Sequence, residues 1–195
     1  MGRPRLYTDD AILDAARTLV IQTGARSATL NAIADASGAP KGSIYHRFAS
    51  LNDLLAEMWI RAVRRSQGAF LEALAHPDAM TAAVDAALAI HDFAEEEPAD
   101  ARLLASLRRE DLIERVEAPR LRRQLADLNR PLQAALGELA GRLFGPATDD
   151  ALDRTVCAVV DIPIGATRRH LIAGSPLPRT IRAQLAAAVR AALLA

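Results

Sequence analysis

The twenty residues Thr29-Leu-Asn-Ala-Ile-Ala-Asp-Ala-Ser-Gly-Ala-Pro-Lys-Gly-Ser-Ile-Tyr-His-Arg-Phe48 decide how this chain folds. Thr29 is followed by Leu30, Ile33 and Ala34 at helical spacing, and the run closes on Ser37-Gly38. A threonine oxygen satisfies an amide that a helix start leaves open, and a glycine admits the left-handed backbone of a helix stop. Pro40 then stands at a first helical position, with Ile44 and Phe48 as apolar anchors at i and i+4. Upstream, Thr8 can cap a longer helix that carries Asp9 and Asp10 in its first turn. That helix repeats Ile12, Leu13, Ala16, Leu19 and Val20 before stopping at Gly24. Two short helices joined by a tight turn and braced by a longer one are a helix-turn-helix.

The turn directs the start of the third helix away from the core. Lys41, the only lysine of the chain, is presented there, and every other fixed positive charge is an arginine. Gly42 permits close approach to a phosphate backbone, while Ser43, Tyr45 and His46 supply hydroxyls and an imidazole for phosphate oxygens or base edges. A lysine or tyrosine on a short helix is ordinarily solvated surface. A cation, a glycine, a hydroxyl, a phenol and an imidazole within six positions of one helix are not what a generic surface supplies.

Composition sets the outer bounds. The 195 residues are 51% hydrophobic and 4% aromatic, with alanine and leucine dominant, which predicts an all-α fold. The sequence lacks an uncharged apolar window of membrane-spanning length, and its first seven residues form a short basic arm, so a soluble cytoplasmic protein is expected. Cys157, the single cysteine, lies between Val156, Ala158 and Val159 and reads as a small core residue. The zero net charge conceals a split: residues 1–50 hold six basic and four acidic side chains, residues 51–195 eighteen and twenty. The basic excess therefore accompanies the helix-turn-helix, as a phosphate-facing surface requires.

With Ser50 and Asp53-Leu-Leu55 behind it, the 29–48 segment resembles the DNA-binding domain of the tetracycline-repressor (TetR) family. The resemblance covers residues 6–66. It implies an N-terminal three-helix DNA-binding domain, taken as 1–50, and a larger helical regulatory and dimerisation domain, 51–195. It further implies that Thr29, Lys41, Gly42, Ser43, Tyr45 and His46 match positions that touch DNA, and that Arg3 and Arg5 form an arm for the minor groove. Where similar sequences begin the fourth helix with a cation, this chain has Leu51.

Helices are expected at 54–75, 78–94, 99–114, 119–144, 149–173 and 178–194, with Pro131 and Pro163 kinking or splitting theirs. Gaps beside kinked helices suit a small-molecule pocket, for which His91, Arg102, Asp161 and Arg168 are the polar candidates. The last two helices are expected to pair two copies through Val156, Val159, Val160, Ile164, Leu171, Ile172, Ile181, Leu185, Val189 and Leu193. The four histidines are scattered, and His91 with Glu95 makes at most half of a metal site, so no catalytic role, metal or cofactor is expected. The expected function is a homodimeric regulator, a ligand-released repressor on a palindromic operator. The alternatives are a regulator without a ligand and a helical metal- or cofactor-dependent enzyme.

Overall fold

Thr8 starts the first helix as its sequence requires: its Oγ1 accepts the Ala11 amide at 3.1 Å, and α1 runs Asp9–Thr23. Thr29 does the same for α2 (Leu30–Ser37), accepting from the Ala32 amide at 3.1 Å. The helix stops at Gly38, whose φ of 69° is left-handed. α3 (Lys41–Arg47) and α4 (Leu51–Leu74) follow, Ser50 Oγ accepting the Asp53 amide at the start of α4. The remaining helices are α5 (Ala79–Glu96), α6 (Pro98–Ser106), α7 (Arg109–Ile113), α8 (Pro119–Asp127), α9 (Arg130–Phe144), α10 (Asp149–Val156), α11 (Ile162–Ala173) and α12 (Ile181–Leu194). A π-helical turn, Cys157–Asp161, joins α10 to α11. This computed structural model describes residues 7–146 and 148–195, among which every regular element is helical; Arg3 and Arg5 lie outside the described residues.

The chain divides into two compact units: residues up to Val63 together with Ser106–Leu128, and Arg64–Ala105 together with Asn129–Ala195. The first unit takes in α7 and α8 as well as the N-terminal helices. Within it α1 packs on α2, α2 on α3, and α7 on α8. Ile12, Ala16, Ile33, Ile44, Phe48, Leu54 and Met58 are buried there, as are Leu112, Val116, Leu121 and Leu125. Trp59 is buried too, and its Nε1 donates to the Leu107 carbonyl at 3.1 Å.

The second unit is organised around α5. Ala82, Ala83, Ala86, Ala87 and Ala89 leave little side-chain bulk along one side of that helix, and α9, α11 and α12 all pack against α5. Phe70, Leu88, Leu139, Val159, Leu185 and Val189 fill the same core. Ile181 and Leu193 of α12 are buried as well.

Proline placement explains two features of the expected long helices. Pro131 has no N–H for the Asp127 carbonyl four residues back, and α8 ends at Asp127. Pro163 likewise cannot bond Val159; there the chain stays helical by widening one turn, so that the Ile162 amide reaches the Cys157 carbonyl. The third break was not anticipated. The expected 99–114 helix ends at Ser106 and resumes at Arg109, and the carbonyls of Ala105 and Leu107 at the break are taken by the Arg168 guanidinium and the Trp59 indole. Cys157 also departs from expectation. It is exposed rather than core, since Thr155, Ala158 and Val159 take the buried side of this stretch and Cys157 falls opposite them.

Candidate nucleic-acid interface

The short third helix is held from below and open above. Ala39, Ile44 and Phe48 are buried to 5% exposure or less, which fixes the roll of α3 in its groove. Lys41, Gly42, Tyr45 and His46 are all left exposed around the rest of the helix, Tyr45 at 55%. Ser43 is half-buried at the edge of that face. A Cβ added at Gly42 would meet nothing within 4 Å among the described residues, so none of them demands a glycine there. Thr29 is exposed, but its oxygen already caps α2, leaving its hydroxyl proton for an outside acceptor.

The other basic residue of α3 behaves differently. Arg47 is half-buried, donating to the Tyr7 carbonyl at 2.8 Å and to Asp9 Oδ1 at 2.9 Å. Arg61 of α4 bonds Asp10 Oδ1 at 2.8 Å and also Asp14, which Arg17 approaches at 3.3 Å. The three acids of α1 are thus each matched by arginine, and their negative charge is compensated locally rather than opposed to Lys41. Such half-exposed pairs contribute little stability individually. Their consequence here is electrostatic. What separates Arg47 from Lys41 is position along α3: Arg47, in the last turn, reaches the Tyr7 carbonyl and Asp9, while Lys41 is the first residue of the helix and is exposed.

Residues 12–58 match the family model for bacterial regulatory proteins of the tetR family. The N-terminal module is a tetR-family DNA-binding domain. The chain is accordingly a DNA-binding transcriptional regulator. Solved structures agree on the fold over nearly the whole length. The TetR-family transcriptional regulator PfmR from Thermus thermophilus superposes with a TM-score of 0.70 at 19% identity, over 94% of this chain and 97% of that one. The fatty acid degradation regulator FadR from Bacillus halodurans gives 0.67 at 16%, over 95% and 98%. A transcriptional regulator from Rhodococcus sp. Rha1 gives 0.72 at 17%, over 96% of each chain. Among curated proteins no match is found.

Beyond the tetR-family module, the four polar pocket candidates lie on α5, α6, the π turn and α11. His91 is buried at 3% exposure, its Nδ1 2.9 Å from Asp92 Oδ1. Arg102 lies against Gly174. Asp161 is exposed on the π turn, and Arg168 is exposed with Nε and Nη2 on the Ala105 carbonyl. A cleft of about 510 Å³ opens elsewhere in the second unit, lined by Arg65, Ser66, Ala69 and Ala73 of α4, by Asp85, Leu88, Ala89, Asp92, Phe93 and Glu96 of α5, and by Glu97 and Arg182. None of the four candidates lines it, and neither Pro131 nor Pro163 borders it. The signal in the sequence was Ala69 and Ala73 at i and i+4 facing Ala89: stacked small side chains leave a groove between two helices unfilled. Arg182 grips Asp92 with both branches, at 3.1 and 3.2 Å. Burial by itself would raise the Asp92 carboxyl, yet the hydrogen bonds and charges of Arg182 and His91 outweigh it and hold the group below its ordinary value. No group of three or more metal-ligating side chains occurs among the described residues, and none of their helices is long and apolar enough to cross a membrane.

Proposed function

We propose that this regulator binds a palindromic operator as a homodimer in the cytoplasm and represses transcription until a small molecule releases it. Lys41, Gly42, Ser43, Tyr45 and His46 meet the duplex from α3, Thr29 from the start of α2, and Arg3 and Arg5 from the arm. The observation that carries the reading is the exposed polar face of α3 above a fully buried Ile44. A transcription factor of this kind needs no catalytic group.

Pairing is best supported on α11. Asp161, Ile164, Gly165, Arg168 and Ile172 recur at i, i+3, i+4, i+7 and i+11, one helical face. Ile164 and Ile172 are 45% and 54% exposed, and a Cβ at Gly165 would meet nothing within 4 Å among the described residues. An exposed helical glycine costs about 1 kcal/mol relative to alanine, which a closely approaching second copy offsets. Leu185 and Val189, by contrast, are removed from the interface, being 3% and 0% exposed inside a single copy. Two recognition helices about 34–36 Å apart then read two half-sites. α4 runs unbroken from Leu51 to Leu74, so a ligand bound against its second half can shift the first half, and with it the operator affinity.

Fluorescence anisotropy on the DNA upstream of the chain's own gene tests the reading. Lys41→Ala should weaken binding tenfold or more with an unchanged melting temperature. About four neutralised phosphates per dimer give a log-log salt slope near −3.6. A flat salt response, or unaltered affinity of the variant at matched salt, defeats the assignment.

A further inference from the structure

The cleft between α4 and α5 has a charge that its sequence neighbourhood does not announce. Asp85, Asp92 and Glu96 recur at i, i+7 and i+11 on α5 and, with Glu97, give the wall four carboxylates. Two arginines stand against them, and both are engaged. Arg182 lies in the bidentate pair with Asp92. Arg65 donates to Asp100 Oδ2 at 3.0 Å, and Asp100 is not part of the cleft. The wall is therefore negative by two formal charges, with Asp85, Glu96 and Glu97 all exposed to whatever enters. The floor is apolar: Ala69, Ala73, Leu88, Ala89 and Phe93 supply no charge and one aromatic ring. The volume of about 510 Å³ suits a small molecule rather than a macromolecular partner.

We propose that this cleft binds a small organic cation, its apolar body on the alanine, leucine and phenylalanine floor and its charge against Asp85, Asp92 and Glu96. An anion of the same size meets a wall of like charge and is refused; a fatty carboxylate is refused for the same reason. Arg182 is the resident competitor. Its guanidinium occupies Asp92 in the empty cleft, and an incoming cation takes its place or shares the carboxylate, which couples ligand entry to the first turn of α12. As the site of the releasing ligand this rests on the regulatory reading above, but as a binding site it does not.

Calorimetric titration of the full chain without DNA separates the two. Benzyltrimethylammonium should bind at millimolar concentration, and benzenesulfonate, of similar size and opposite charge, should not. The double variant Asp85→Asn/Glu96→Gln, at two exposed positions, should melt like the parent and lose at least tenfold in cation affinity. Arg182→Gln, which frees Asp92, should gain several-fold. Failure of the cation to bind, equal binding of the sulfonate, or an unchanged double variant overturns the proposal even if operator binding is intact. Cation binding that follows this pattern but leaves operator affinity unaltered upholds the site and defeats release by ligand instead.

Discussion

Replacing Ile164 and Ile172 by glutamine tests the pairing of two copies with a magnitude fixed by exposure. Full burial of an isoleucine is worth about 1.5–3 kcal/mol. With 45% and 54% of these side chains still open, roughly half of that, about 1 kcal/mol each, remains to be gained on association. A two-fold interface uses each residue twice, so the four side chains supply about 4 kcal/mol, or close to three decades in the dimer dissociation constant. Glutamine is a good helix former and suits an exposed position, so the monomer should keep its melting temperature. Sedimentation equilibrium over a concentration series should show dissociation constants about a thousandfold apart, with loss of full-palindrome binding at nanomolar protein. Leu185→Arg is the control: it places a charge in the core of one copy and should unfold the second unit rather than yield a folded monomer. A double glutamine variant whose dimer constant stays within threefold of the parent would refute the placement of the interface on α11.

Leu51→Lys places a cation at the first residue of α4, where similar sequences carry one, and should tighten operator binding several-fold with a steeper salt slope; anisotropy at two salt concentrations decides it. Asp92→Asn should destabilise the second unit at neutral pH by removing the Arg182 fork and the His91 partner. Because the native Asp92 carboxyl is held below its ordinary value, its contribution is present above the unfolded-state value and lost as the pH falls through the folded one. The gap between variant and parent in thermal melts should therefore be constant at neutral pH and close below about pH 4. Tyr45→Phe, which deletes one hydroxyl at an exposed position, should cost less operator affinity than Lys41→Ala.

Local rules made the first unit legible. Thr8 and Thr29 cap as written, Gly38 is left-handed as written, and Ile44 and Phe48 are the buried anchors their spacing implies. Each of these depends on residues within a turn of one another. The long-range features were not legible. Nothing near Ala105 or Leu107 announces that a guanidinium 63 residues away and an indole 48 residues away will satisfy the carbonyls at a helix break there. The apolar run in α12 was legible as apolar but not as to what it faces: Leu185 and Val189 point to α5, an alanine-rich helix that needs thick partners to fill the core. Cys157 misled because apolar neighbours in sequence are not neighbours on a helix face. The cleft needed two helices a dozen or more residues apart to place their alanines opposite one another.

The placement of the single lysine follows from what the arginines do. Arg142 takes the Leu74 and His76 carbonyls with two branches at 2.8 and 2.6 Å, closing the C-terminal end of α4. Arg122 takes the Val116 carbonyl at 2.7 Å, Arg168 takes that of Ala105, and Arg182 forks onto Asp92. Arg47 and Arg61 fasten α1 to α3 and α4. Each guanidinium is fixed on acceptors of the chain itself, and Arg47, Arg61, Arg142 and Arg182 each bridge two of them, an arrangement that an ammonium reproduces poorly. At Lys41 the requirement is reversed. On the proposed reading the acceptor is a phosphate outside the chain, whose position shifts as α3 settles into a groove, and a compact charge on a flexible stem follows it with no fixed geometry. An arginine at 41 would be free to fold back onto a carbonyl, as Arg47, Arg122, Arg142 and Arg168 do, whereas the lysine remains exposed at the start of the helix that Ile44 and Phe48 anchor.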